Sequence, residues 1–357
     1  MVNYLTLAVA GSRKTQGIVE HCAALPNDHR ALVVTFTQNN QAELRNRLAQ
    51  YAGDHQGITV MGWFMFLLRD FARPFLPFKF TGKRINGFNF DGRPHIKAKN
   101  LNRFLDGNGA VYACELARLS HELVKESNGA LLRRLECLYD TVLIDEVQDL
   151  SSHDWEIIDI LLESSIEIRM VGDIRQAVLA TNPRSSKNKR YAYADALNWF
   201  MEREVLGKLT ISHSNTTWRC HPKIAEFSDT IFNSSWHFPP TVSANETVTD
   251  HDGVFLLHQR HLIDYVQQFC PQCLRDNVNS GKAFNLNYLN FRLAKGATWE
   301  RVLIVPTGNI TRFVQNGVYL DPIPAAKFYV AVTRAEQSVA ILIDNPGKSQ
   351  LPYWDPI

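Results

Sequence analysis

Cysteine is scarce in this chain: six residues in 357, scattered at Cys22, Cys114, Cys137, Cys220, Cys270 and Cys273. That spacing excludes the dense disulfide framework of a small secreted domain and leads us to expect a reducing, cytoplasmic setting. Net charge is nearly absent too, because 38 basic side chains against 36 acidic ones leave only +2. Any face for a polyanion must therefore be local. Long apolar runs are lacking. The apolar stretch at 4–11 is only strand-length, has no charged leader and runs straight into Ser12-Arg13-Lys14-Thr15, so neither a signal peptide nor a membrane partner is expected. Internal repeats and low-complexity tracts are also missing, which excludes a solenoid or a fibrous chain.

What remains is the makeup of a globular protein, with 45% hydrophobic and 21% charged residues and a length suited to about two domains. Short apolar runs at 4–10, 31–35, 141–144 and 168–171 alternate with helix-like stretches at 41–51 and 154–162. A second series follows at 209–212, 253–258, 284–290, 302–305 and 339–343, with helical patterns at 223–232, 261–270 and 325–333. Strands too apolar to have a wet face belong in parallel sheets covered on both sides. The pattern predicts α/β architecture in two tandem units, 1–204 and 205–357, with an insertion at about 73–115 in the first. Within that insertion, Lys79, Lys83, Arg84, Arg93, Lys97, Lys99 and Arg103 face a single acid, Asp91, and Phe80, Phe88 and Phe90 are interleaved. Two meanings stay open: a solvated surface, or a groove that tracks a nucleic-acid backbone while rings stack on bases.

Two motifs carry chemistry. Ala8-Val9-Ala10-Gly11-Ser12-Arg13-Lys14-Thr15 follows a strand and opens a helix, the context of a phosphate-binding loop. Backbone amides at Gly11, Ser12 and Arg13 would cradle phosphates, Lys14 would reach the β and γ phosphates, and the Thr15 hydroxyl would hold Mg²⁺. Arg13 stands where glycine normally precedes the lysine, and a chance strand-to-helix turn is the alternative. Further on, Leu143-Ile144-Asp145-Glu146-Val147-Gln148-Asp149 ends an apolar strand in adjacent carboxylates. One of them, Asp145, suits a metal, and its neighbour Glu146 suits a general base taking a proton from water.

With these in place the sequence resembles the UvrD/Rep-like superfamily one DNA helicases, and the motifs run in order along almost the whole chain. Val33-Val34-Thr35-Phe36-Thr37-Gln38-Asn39 resembles the first single-strand contact motif, and Gly62-Trp63-Phe64 stands where a second is expected. Val171-Gly172-Asp173-Ile174-Arg175-Gln176 is similar to the coupling motif, and Trp218-Arg219 to the aromatic-arginine pair that opens the second core domain. Lys295-Gly296-Ala297-Thr298-Trp299-Glu300 resembles the motif after the accessory insertion, and Tyr329-Val330-Ala331-Val332-Thr333-Arg334-Ala335 the last one.

The resemblance implies two RecA-like P-loop NTPase domains using ATP and Mg²⁺. Lys14, Arg219 and Arg334 would supply positive charge to the transferring phosphoryl group, Gln176 would sense the γ phosphate and Trp218 would stack on adenine. Gly296 and Glu300 would join the nucleotide site, and Phe36, Thr37, Trp63, Phe64 and Lys295 would contact single-stranded DNA. The activity implied is that of an ATP hydrolase acting as a helicase or single-strand translocase, moving 3′ to 5′, with ATP hydrolysis between two domains coupled to movement.

Three departures from the family pattern accompany it: Arg13, the lack of a glutamine-bearing segment ahead of Ala8, and only 75 residues between Arg219 and Lys295, which leaves little room for an accessory domain. Arg13 and the missing glutamine segment motivate an alternative, an ATP-binding regulatory or scaffold subunit with little hydrolysis, and the compactness suggests a nuclease or another DNA-repair or phage-defence subunit as partner. A P-loop nucleotide kinase has no use for the last motif. No zinc is expected at His258, His261, Cys270 and Cys273, because the pairs fall in apparent strand-to-helix segments rather than knuckle turns. The basic loop at 184–190 reads as a solvated charge run, with phosphate contact as the alternative.

Overall fold

A computed structural model describes residues 2–53, 55–182 and 184–356. Runs that are buried on both faces need a parallel sheet, and the chain forms two of them. The first has six strands in the order Ile58–Gly62, Ala31–Thr35, Thr141–Ile144, Glu167–Gly172, Tyr4–Ala8 and Thr210–Ser214. Its registered pairs are parallel, with Thr35 opposite Gly62, Val34 opposite Ile144, Ile144 opposite Met170 and Leu7 opposite Gly172. Every residue of Ala31–Thr35 is buried. Val33 and Val34 are shielded completely, each contributing about 1.5–3 kcal/mol of transfer energy.

The second sheet also has six strands, ordered Tyr288–Asn290, Gln272–Arg275, Trp299–Val305, Ala335–Leu342, Gly253–Leu257 and Tyr353–Trp354, all parallel. Helix Pro322–Val332 lies in its core, burying Ala325, Phe328, Tyr329 and Val330. The two sheets with their flanking helices are tandem RecA-like α/β domains.

By their contacts the residues fall into two compact units. One comprises Met1–Leu7, Lys14–Gly172 and Ala180–Ser212; the other comprises Ala8–Arg13, Asp173–Leu179 and His213–Ile357. Two short segments from the N-terminal half, Ala8–Arg13 and Asp173–Leu179, are therefore grouped with the second unit. In the first unit the insertion is built from helix Arg73–Lys79, a two-stranded parallel pair Gly87–Asn89 and Ala110–Tyr112, and the short helix Leu101–Phe104. It rests against helix Ala113–Glu126, whose Leu116, Leu119 and Leu123 form the buried stripe of an amphipathic helix.

Candidate functional site

In an open parallel sheet, ligands gather at the carboxyl ends of the strands, where successive loops and helix starts converge. The segments picked out by sequence leave that edge of the first sheet: 9–13 after Tyr4–Ala8, 36–37 after Ala31–Thr35, 63–64 after Ile58–Gly62, 145–149 after Thr141–Ile144 and 173–176 after Glu167–Gly172.

The loop after Tyr4–Ala8 turns tightly, with the Ser12 amide donating to Val9 O at 3.3 Å. Helix Lys14–Ala23 begins immediately after it. Gly11 has φ +74° and Arg13 φ +61°, so a left-handed residue stands where a glycine was expected. Only glycine fits at position 11, because an added Cβ would lie 2.6 Å from Arg219 Cβ and 2.7 Å from Thr217 Oγ1. The amide of Trp218 donates to Gly11 O at 3.0 Å. The Arg13 guanidinium lies over the Trp218 ring, 3.9 Å from its centre. The Ser12 hydroxyl is buried and has no hydrogen-bond partner. An orphaned donor in a strand-to-helix turn is what a phosphate oxygen would satisfy, so the loop fits a nucleotide.

At the end of Thr141–Ile144, the Asp145 amide donates to Val34 O at 2.8 Å and the Glu146 amide donates to Asp145 Oδ1 at 2.9 Å. Glu146 is left-handed at φ +56°, a strained conformation held by its neighbours. The Gln148 side-chain amide donates to Glu146 Oε2. Thr35, which ends the adjacent strand, has a buried hydroxyl without a partner. Sequence reasoning gave it no role, although it sits inside the Val33 to Asn39 motif. Carboxylate and hydroxyl oxygens of this kind suit a hard cation such as magnesium.

In the second unit, Gln176 and Arg334 meet: Arg334 Nη2 donates to Gln176 Oε1 at 3.2 Å. Gln176 Nε2 donates to Asp173 Oδ2 at 2.7 Å, which fixes which way the amide faces. Arg334 Nε also donates to Val330 O at 3.0 Å, and Arg219 Nη1 donates to Thr333 O at 3.1 Å, so both arginines anchor on the same helix end. Arg175 is buried, paired with Asp229 at 2.7 Å and 4.9 Å from the centre of the Tyr329 ring. Burial alone would depress it, yet Tyr329, Asp173 and Asp229 hold the guanidinium above its ordinary range. Of the motif at 295–300, Trp299 accompanies Arg334, its amide donating to Arg334 O at 2.9 Å. Gly296 is left-handed and exposed, while Glu300 is exposed and paired with Arg301 at 3.0 Å.

The rings expected to meet bases are distributed unevenly. Trp63 is buried at 1% exposure and donates its indole N–H to Asp154 Oδ1 at 2.8 Å. It is a core residue on which half-buried Phe36 stacks at 6.1 Å. Thr37 caps helix Gln38–Tyr51, its hydroxyl accepting from Asn40 N. Phe64 instead reaches the insertion, meeting Phe90 edge-on at 5.6 Å, with Phe88 a further 5.0 Å along. Phe90 is 61% exposed. In the same insertion Lys83, Arg84, Arg93, Lys97 and Lys99 are exposed, whereas Lys79 and Arg103 pair with Glu126 and Glu115. In the loop at 184–190, Lys187 pairs with Glu156 at 2.8 Å and Asn188 donates to the same carboxylate at 3.0 Å.

Among the described residues no group of three or more His, Cys, Asp or Glu could hold a metal ion by itself, and no helix is long and apolar enough to cross a membrane. His258 stacks on Tyr353 at 4.0 Å, and Cys270 and Cys273 are free thiols.

Residues 93–182 match the family model of the UvrD/REP helicase N-terminal domain. No curated protein matches the chain. Among solved structures, the arterivirus nonstructural protein 10 helicase is similar at a TM-score of 0.49 and 14% identity, over 96% of this chain and 59% of that one. The complex of an arterivirus nonstructural protein 10 helicase with DNA gives 0.44 and 14%, over 96% and 61%. The chain thus spans 59 to 61% of the length of these viral structures.

Proposed function

Classification with the UvrD/Rep-like helicases is supported by the match over residues 93–182, and from that premise we propose that the chain is an ATP-dependent motor on single-stranded nucleic acid, a helicase or translocase. The observation that carries this reading is the Gln176–Arg334 hydrogen bond, formed in the unit that also holds the phosphate-loop segment Ala8–Arg13. A γ-phosphate sensor held against a cation is of use to an enzyme that cleaves that phosphate and has little purpose in a static scaffold.

In this reading the Gly11 to Arg13 amides and the Ser12 hydroxyl bind phosphate oxygens, and Lys14 neutralises charge on them. Thr15 and Asp145 would hold magnesium, which supplies charge neutralisation when bound. Glu146 accepts the proton of the attacking water, and the hydrogen bond from Gln148 keeps its carboxylate turned. Arg219 and Arg334 add positive charge where the phosphoryl group transfers, and Trp218 offers a face to the base. Phe36 and Phe64 form the sequence-tolerant stacking surface for single-stranded DNA, propped by Trp63, and Lys295 adds a phosphate contact. Movement is 3′ to 5′ by family resemblance, and a nuclease or repair subunit is the proposed partner class.

The test is steady-state ATP hydrolysis with and without a single-stranded oligonucleotide, on wild type, Lys14→Ala and Glu146→Gln. We expect stimulation by the oligonucleotide and a loss of roughly a hundredfold or more in Glu146→Gln with nucleotide binding retained. Nucleotide binding without hydrolysis in the wild type would instead establish the regulatory-subunit alternative.

A further inference from the structure

The Ala10 amide, inside the phosphate loop, donates to the Tyr329 hydroxyl at 3.3 Å. That hydroxyl in turn donates to Asp173 Oδ2 at 3.3 Å, the same oxygen that accepts from Gln176 Nε2 at 2.7 Å. Gln176 Oε1 then accepts from Arg334. A continuous run of hydrogen bonds thus leads from a loop amide to the two polar groups assigned to the γ phosphate. All five residues belong to one unit, and all but the half-exposed margin of the loop is sealed: Ala10 is 2%, Tyr329 1%, Asp173 1%, Gln176 5% and Arg334 2% exposed. In so dry a setting each bond polarises the next, and no water can substitute for a missing member.

We propose that Tyr329 is a positioning residue for hydrolysis: its hydroxyl couples the phosphate loop to the Gln176–Arg334 pair. The chemistry of the relay supports this. A phenol hydroxyl is one of few side chains that can accept from a loop amide and donate to a carboxylate at once, whereas a phenylalanine of the same shape can do neither. The ring itself is already engaged with the Arg175 guanidinium, which fixes its plane and leaves the hydroxyl as the part that can report on the loop. If loading of the loop shifts the Ala10 amide, the shift reaches Gln176 through Asp173. The inference rests on the motor reading of the same site.

The experiment is ATP hydrolysis and nucleotide binding by wild type and Tyr329→Phe, with and without a single-stranded oligonucleotide, alongside thermal melting of both. We expect kcat to fall about tenfold or more in Tyr329→Phe, since one mis-set donor near the reacting phosphoryl costs this much. KM and nucleotide affinity should stay within about threefold, and the stimulation by oligonucleotide should shrink. Tyr329→Phe keeps the ring over Arg175; Asp173→Asn, which keeps the shape of the next member, should show the same kcat-only pattern. An active wild type with unchanged kcat in Tyr329→Phe overturns this inference alone. So does a loss that scales with the fraction unfolded, or one that raises KM in step with it. A wild type without hydrolysis under either condition overturns the motor reading and this inference with it.

Discussion

The guanidinium of Arg13 covers the ring of Trp218 at 3.9 Å, joining the residue that replaces a loop glycine to the aromatic proposed for the base. Two opposing energies meet there. Holding a non-glycine residue at φ +61° costs about 1–2 kcal/mol, and an exposed cation–π contact returns about 0.5–1 kcal/mol. Arg13→Gly removes both. Its melting temperature should stay within about 4 °C of wild type, while tryptophan emission shifts to the red as the ring loses its cover. A larger drop in the melt would mean that Arg13 holds more than the stacked ring.

Gly11 is the opposite case, since no compensation is at hand. Its φ is +74° and a methyl group would land 2.6 Å from Arg219 Cβ, backed by the Thr217 hydroxyl at 2.7 Å. Gly11→Ala must push the loop and the 217–219 segment apart. The left-handed strain alone is about 1–2 kcal/mol, and the steric contact adds to it. The expected outcome is nucleotide affinity lowered at least about tenfold with far-UV dichroism unchanged, as each 1.4 kcal/mol is a factor of ten. Wild-type affinity in Gly11→Ala would show that the segment can yield.

Much of this was legible in the sequence, for physical reasons. Strands buried on both faces, such as Ala31–Thr35, leave continuous apolar runs, and the strand-to-helix loop before Lys14 carries its glycine because only glycine fits beside Arg219. Burial of individual rings was not legible. Trp63 stands in a motif expected to meet bases, yet its partner is Asp154, 91 residues later, and no local pattern announces that bond. The Tyr329 hydroxyl is hidden in the same way: its partners Ala10 and Asp173 lie 319 and 156 residues away. Nor does a charge run disclose which members are paired; Lys187 is tied to Glu156, and Lys79 to Glu126.

Asp154 gives a pH signature. Burial pushes its carboxyl from 3.8 up to about 6, against the hydrogen bonds from Thr181, the Ser151 amide and Trp63 that favour the charged form. A carboxyl raised in the folded state binds its proton more tightly there than in the unfolded chain. Its contribution to stability is therefore fully present below the unfolded value and is lost as pH rises toward about 6. Asp154→Asn cannot titrate. The stability of wild type relative to Asp154→Asn should thus be greater at pH 4 than at pH 7.5, with the change confined to the window between 3.8 and about 6. Parallel pH profiles of urea unfolding for the two proteins would overturn it.

The last prediction concerns the insertion, where Phe90 is 61% exposed beside Phe64 and Phe88 and the same segment carries exposed lysines and arginines. A ring this exposed contributes little to the fold, so Phe90→Ala should melt like wild type. If the ring stacks on a base, its loss should weaken binding of a single-stranded oligonucleotide by about 1–3 kcal/mol, irrespective of base sequence. Lys97→Glu and Lys99→Glu separate charge from stacking. Each lost phosphate contact should reduce the slope of log affinity against log salt by about 0.7, whereas Phe90→Ala should leave the slope alone. Fluorescence anisotropy at several salt concentrations measures both quantities. If affinity and slope are unchanged in all three variants, the insertion is a solvated surface, and the nucleic-acid contact lies instead with the proposed set Phe36, Thr37, Phe64 and Lys295.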